Sequence, residues 1–199
     1  MTMSNFPNYA KATNAAYQLL IRSGALSLFT DVFFIVRNLL ESCVLLTYGQ
    51  ACFFYGFSWD DLLEVSEFGF SVIRKGKRII LYNETVSLGG IRFTIAHEIG
   101  HAALGHIDEH DATAEKEANC FARNLLCPIP FVYGLSVETV QDYTRIFNIT
   151  ECMAKVAFDK RENDRYYISD EHFAIVSDML EACMMDFDSL DEYYHYIAS

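Results

Sequence analysis

Two histidines and a glutamate in the stretch RFTIAHEIGHAALGH, Arg92 to His106, have the types and the spacing to run hydrolytic chemistry. His97 and His101 stand four residues apart, and Glu98 follows the first of them. On a helix that spacing stacks both rings on one face, so both imidazoles can reach one cation. Zinc accepts nitrogen ligands in this arrangement, at roughly 2.0–2.1 Å. Glu98 lies one position round the helix and flanks the cation rather than ligating it. A general base sits there to take a proton from metal-activated water, and the chemistry implied is peptide hydrolysis. The neighbours Ile95, Ala96, Ile99, Ala102, Ala103 and Leu104 are apolar. An ordinary core helix would bury two polar rings and a carboxylate among them at a cost, unless something paired with those groups.

A catalytic zinc takes three protein ligands and leaves one position open. The third ligand must come from outside the first helix, and the next helical stretch, DATAEKEANCFARNLLCP, offers two carboxylates. Its apolar face is formed by Ala114, Ala118, Phe121, Ala122, Leu125 and Leu126. At 100° per residue, Glu115 lies about 60° from the centre of that face, while Glu117 and Asn119 lie about 100° away on opposite sides. Glu115 is the better placed to look inward, with Glu117 as the alternative metal ligand; either would otherwise be a solvated acid at a helix start, where the dipole favours it. Asn119, one turn beyond Glu115, can accept the second N–H of a zinc histidine and orient its ring.

Several elements must hold these residues. Asn8 to Arg22 reads as a first helix ended by Gly24, and Thr30 is expected to cap a second that runs to about Glu41. CVLLTY reads as a buried strand, and GFSVIRKGKRIILYN as a hairpin that turns at Lys75-Gly76-Lys77. That makes Arg74, Lys75, Lys77 and Arg78 a solvated turn rather than a nucleic-acid patch. The two site helices run from about Gly90 to Leu104 and from Ala112 to Leu126, the second stopped by Pro128-Ile129-Pro130. Two short helical patterns follow, Val137 to Phe147 and Thr150 to Arg161, and the acidic end reads as one more helix. The short pair has a helix-turn-helix look. Its five basic and six acidic residues between Ser136 and Arg165 give no electropositive face, so it is expected to pack or dock a substrate rather than bind DNA.

The net charge of −12 removes any general attraction for phosphate backbones or anionic membranes. The excess is local: residues 170–199 hold eight acids and no Lys or Arg, whereas the rest carries 19 acids against 15 bases. The longest uncharged run, Ser42 to Trp59, has 18 residues. It is at the lower edge of membrane-spanning length, and its glycines, Gln50 and β-branched and aromatic residues favour a buried strand and helix. Cys43, Cys52, Cys120, Cys127, Cys152 and Cys183 form no C-x-x-C pair, and the opening residues show no apolar signal core, so reduced, mostly buried thiols in a cytoplasmic protein are expected. His110, His172 and His195 have no partner in the sequence and are expected at the surface.

RFTIAHEIGH, the E-x-x-x-N step from Glu115 to Asn119, FARNLLCP and the preceding IILYN together resemble the ImmA/IrrE-type zinc metallopeptidases, specifically from about Gly69 to Pro130. The resemblance implies an α+β fold, a small few-stranded sheet packed against the zinc-binding helices, with additional N- and C-terminal helices. It implies one Zn²⁺ held by His97, His101 and Glu115, with Glu98 as base. Mn²⁺, Fe²⁺ and Cu²⁺ also suit an N,N,O site, but zinc fits the geometry. Members act in bacteria, phages and integrative elements, and many cleave or antagonise a helix-turn-helix repressor encoded beside them. Here the implied activity is a zinc endopeptidase acting on such a repressor; the alternative is a non-catalytic regulator that keeps the zinc and acts by binding. Residues 1–130 are expected to form the core and 131–199 a helical extension packed on it, with the pair at 136–165 and an acidic helix at 170–199. Relatives carry Met where this chain has Cys127, a change expected to be inert, and His106 is expected at the surface or behind a ligand.

Overall fold

In a computed structural model the protein is described over residues 6–106 and 111–199. Helix α1 spans Tyr9–Ser23, α2 Val32–Leu39, strand β1 Cys43–Thr47, α3 Tyr48–Tyr55, α4 Trp59–Val65, β2 Gly69–Arg74, β3 Lys77–Tyr82, α5 Leu88–Leu104 and α6 Ala112–Leu126. Then come α7 Ile129–Gly134, α8 Val140–Phe147, α9 Glu151–Tyr167, α10 Asp170–Met184 and α11 Leu190–Ile197. The class is α+β, as expected. None of the described helices is long and apolar enough to cross a membrane.

The sheet has the order β1-β3-β2. β1 runs parallel to β3, and β2 pairs with it antiparallel through a two-residue turn in which Lys75 (φ 50°) and Gly76 (φ 75°) are both left-handed. That turn matches the strand twist, which is why a Lys-Gly pair ends the hairpin tightly. Alternation along β3 gives the sheet two apolar faces: Ile80 joins the main core, whereas Leu81 packs with Tyr48, Ala51 and Leu62 under α3 and α4. On the main side α5 lies across β2 and β3, α6 packs along α5, α1 packs on α6, and α9 and α10 close over α1. Buried Tyr17 ties these layers, donating to Asn124 Oδ1 (3.3 Å) and accepting from Ile129 N–H (2.8 Å).

Several expectations need correcting. Asp31, not Thr30, caps α2, accepting from Phe33 and Phe34 N–H; the Thr30 hydroxyl instead donates to Leu125 O. Strand and helix do follow Ser42, but α3 is buried on one side only: Tyr48 and Ala51 are fully buried, whereas Phe53 and Phe54 are exposed. The acidic end is two helices, broken where Asp186 takes φ 64° and Ser189 caps α11. Arg78 is no part of a solvated turn; it is buried and donates to Ser71 Oγ and His106 O, both at 2.7 Å. His172 is paired through Nδ1 with Asn14 Oδ1 (2.8 Å), His195 is exposed, and His110 lies outside the described residues. All six cysteines are free; Cys43, Cys120 and Cys127 are buried and Cys152 is exposed.

Candidate metal centre

α5 begins where Ser87 Oγ accepts the Gly90 N–H and ends at left-handed Gly105, so it delivers His97 and Glu98 from its second half and His101 from its last turn. α6 starts at Asp111, whose side chain accepts the Thr113 N–H, which puts Glu115 in its first turn beside the α5 rings. The two helices approach closely because Gly100 faces α6. A Cβ there would sit 3.1 Å from Phe121 Cδ1 and 3.2 Å from Ala118 Cα. Ala118 Cα is backbone and cannot swing aside, so Gly100→Ala must spread the helices and is expected to cost about 1–3 kcal/mol in stability, read from urea unfolding; an unchanged midpoint would show that the approach is not tight.

The donor atoms converge. His97 Nε2 and His101 Nε2 are 3.0 Å apart, Glu115 Oε1 is 3.2 Å from the second and Oε2 3.5 Å from the first. A tetrahedron with bonds of roughly 2.0–2.1 Å has an edge of about 3.3–3.4 Å. With one Glu115 oxygen facing each ring, the spacings lie close to that edge, so the donor set fits a divalent ion of zinc size. The chemistry of the donors fits too. His97 Nδ1 lies 3.1 Å from Asn119 Oδ1, an acceptor that puts the proton on Nδ1 and leaves Nε2 a bare lone pair. Lone pairs and a carboxylate held this close repel one another unless a cation or a proton lies between them. The His101 side chain is 1% exposed, that of His97 15% and that of Glu115 43%, so the centre opens to solvent on the Glu115 side.

Glu98 is buried, outside the donor cluster, and close enough for its charge to act on His97. Glu117 points elsewhere: Oε1 accepts the Asn8 N–H (2.6 Å) and Oε2 meets His106 Nε2 (2.9 Å). The cluster of potential metal ligands therefore contains Glu115 and not Glu117. His106, expected at the surface or behind a ligand, takes the second place: its ring packs behind His101, with centroids 5.1 Å apart. The usable signal was Gly105, since a left-handed helix cap reverses the chain and returns the next side chain toward the last turn. Cys127 is buried in the core, and burial pushes its thiol far up, so it stays a neutral filler.

Comparison with protein families matches residues 61–150 to the peptidase M78 family, IrrE N-terminal-like domain. This segment belongs to the ImmA/IrrE family. The ImmA/IrrE segment covers the end of α4, the hairpin, both site helices and α8, and it makes this a metallopeptidase-type domain. Comparison with curated proteins gives no match.

Protons compete for the same donors. Burial, then the neighbouring His97, holds His101 down to about 4. Burial also opposes charging of His97, but the Glu115 hydrogen bond and the charges of Glu98 and Glu115 outweigh it and raise that ring. The metal-free centre of the ImmA/IrrE domain thus keeps one proton, on His97, at pH values where two independent imidazoles would start to take two. Metal affinity should fall as pH falls, by about tenfold per unit once the raised His97 ring has taken up its proton, and more steeply only below about pH 4, where His101 is protonated too. Chelator competition between pH 5 and 7.5 measures the slope; a hundredfold loss per unit below about pH 6.5, the value for free imidazole, would mean the rings titrate independently.

Proposed function

We propose that the protein is a zinc-dependent endopeptidase that cleaves a helix-turn-helix transcriptional repressor of a mobile element or stress response. The observation that carries this reading is the meeting of His97, His101 and Glu115 at tetrahedral spacing beside buried Glu98. His97, His101 and Glu115 would hold the ion, which supplies Lewis-acid activation of water and of the peptide carbonyl. Asn119 holds the His97 ring with Nε2 turned inward. Glu98 takes the proton from the attacking water and passes it to the leaving amine, and its burial shields the carboxylate from bulk water. The polypeptide approaches from the Glu115 side, the exposed edge of the centre. Residues 1–130 supply this core, and the helices of 131–199 buttress it: Asp164 on α9 forms a two-pronged ion pair with Arg123 on α6, at 2.6 and 2.7 Å. Six free thiols agree with a cytoplasmic site of action. The repressor as substrate, like the mobile-element setting, rests on the resemblance to relatives.

Incubation with candidate helix-turn-helix repressors, with and without a chelator, tests the reading. Cleavage that the chelator abolishes and added zinc restores is expected. Repressor binding with no cleavage in any condition would replace the endopeptidase with a regulator that acts by binding alone.

A further inference from the structure

The end of α5 and the start of α1 meet behind the candidate metal centre through a chain of contacts that the peptidase reading does not use. After the Gly105 turn, the His106 N–H bonds back to His101 O (2.9 Å), and His106 O accepts from buried Arg78 (2.7 Å). With its backbone fixed at both ends, the His106 ring stands between two partners: Nδ1 lies 3.1 Å from His101 Nδ1, and Nε2 lies 2.9 Å from Glu117 Oε2. Glu117 is itself anchored at its other oxygen by the Asn8 N–H, 2.6 Å away at the cap of α1.

The donor and acceptor roles along this chain admit one assignment for neutral rings. An ionised carboxylate only accepts, so His106 Nε2 carries the hydrogen facing Glu117. His106 Nδ1 is then a lone pair, and His101 Nδ1 must be the donor to it. That leaves His101 Nε2 bare where it faces His97 Nε2 and Glu115. We propose that His106 and Glu117 are positioning residues, a two-membered relay that fixes the tautomer and orientation of His101 and links the centre to the N-terminal helix. This rests on the metal-centre reading for its purpose but not for its test. His97 has its own orienting partner in Asn119, so the two rings are set by separate devices, both reaching α6.

The test uses the full chain with ¹⁵N-labelled histidine. Long-range ¹H–¹⁵N correlation on the metal-free protein reads the His101 tautomer, and chelator competition reads Co²⁺ affinity. The wild type should show His101 protonated at Nδ1 alone. His106→Ala should give mixed tautomers and bind Co²⁺ about 10–100-fold more weakly, the usual cost of removing an outer partner of a ligand. Glu117→Ala should show a smaller loss in the same direction, and it serves as the second variant if His106→Ala fails to fold. His106→Gln, whose side-chain carbonyl can accept from His101 Nδ1, should recover most of both signals, which a purely packing role would not allow. The His97 pattern should stay unchanged throughout. A single Nδ1–H tautomer with wild-type Co²⁺ affinity in His106→Ala, or a His106→Gln variant as impaired as the alanine, would overturn the relay. A wild type that takes up no Co²⁺ but keeps the expected tautomer would sink the metal centre and leave the relay standing.

Discussion

Glu98→Gln is expected to lower the rate of repressor cleavage by about 10²–10⁴-fold, the range over which a positioned proton-transfer group contributes. The amide has the size of the carboxylate and leaves the buried position filled, but it cannot accept a proton from water. Metal content should stay at one ion per chain, because Glu98 lies outside the cluster of His97, His101 and Glu115. A secondary effect has a definite sign. The negative charge of Glu98 helps hold a proton on His97 but attracts a divalent cation more strongly still, so its removal should weaken metal binding modestly without abolishing it. Steady-state cleavage assays beside elemental analysis of the same preparations check both parts. A variant that cleaves at wild-type rate would remove Glu98 from the chemistry; one that loses the metal would show that Glu98 belongs to the ligand set.

Replacing Arg92 by methionine should destabilise the fold by about 3–5 kcal/mol, the largest stability effect anticipated for one side chain. Arg92 is 1% exposed. Its Nη1 donates to Phe147 O (2.5 Å) and Asn148 O (2.8 Å), its Nη2 to Thr30 O (3.1 Å), and the guanidinium lies 3.8 Å from the centre of the Phe29 ring. Those carbonyls belong to the end of α8 and to the loop before α2, so one side chain on α5 ties two separate chain segments to the site helix. Burial holds the guanidinium down to about 10, still charged at neutral pH. Methionine fills the volume and leaves three carbonyls without their donor; those of Phe147 and Thr30 are buried, each costing about 1–3 kcal/mol when unsatisfied. Lysine keeps the charge but cannot span three acceptors with a planar fork, so it should recover only part of the loss. Urea unfolding followed by circular dichroism measures the differences; a methionine variant within about 1 kcal/mol of the wild type would show that the carbonyls find other partners.

The elements with local signals were legible in the sequence. The α5 and α6 boundaries are set by the glycine at 105 and the proline at 128, and the hairpin by a Lys-Gly turn between two β-rich runs; each signal acts within a few residues of the feature it fixes. The His97 and His101 pairing is of the same kind, since one helical turn dictates it. What stayed hidden depends on distant parts of the chain. Thr30 looks like a cap until Leu125 O claims its hydroxyl. Arg78 and Arg92 look like ordinary cations until backbone carbonyls from other elements surround them. The wheel angle turns Glu115 further inward than Glu117, yet Glu117 is the more buried of the two; what parts them is that the α5 rings meet the first and the turned-back His106 meets the second. The outward-facing phenylalanines of α3 follow from a helix packed on the sheet along one side only, which composition does not report.

The most direct test is the metal itself. Protein purified without chelators and then supplied with Zn²⁺ or Co²⁺ should hold one ion per chain, and anomalous diffraction should place it within roughly 2.0–2.2 Å of His97 Nε2, His101 Nε2 and a Glu115 carboxylate oxygen. An ion found against Glu117 instead, or no uptake of either metal by folded protein, would contradict the proposed centre and with it the hydrolytic role of Glu98.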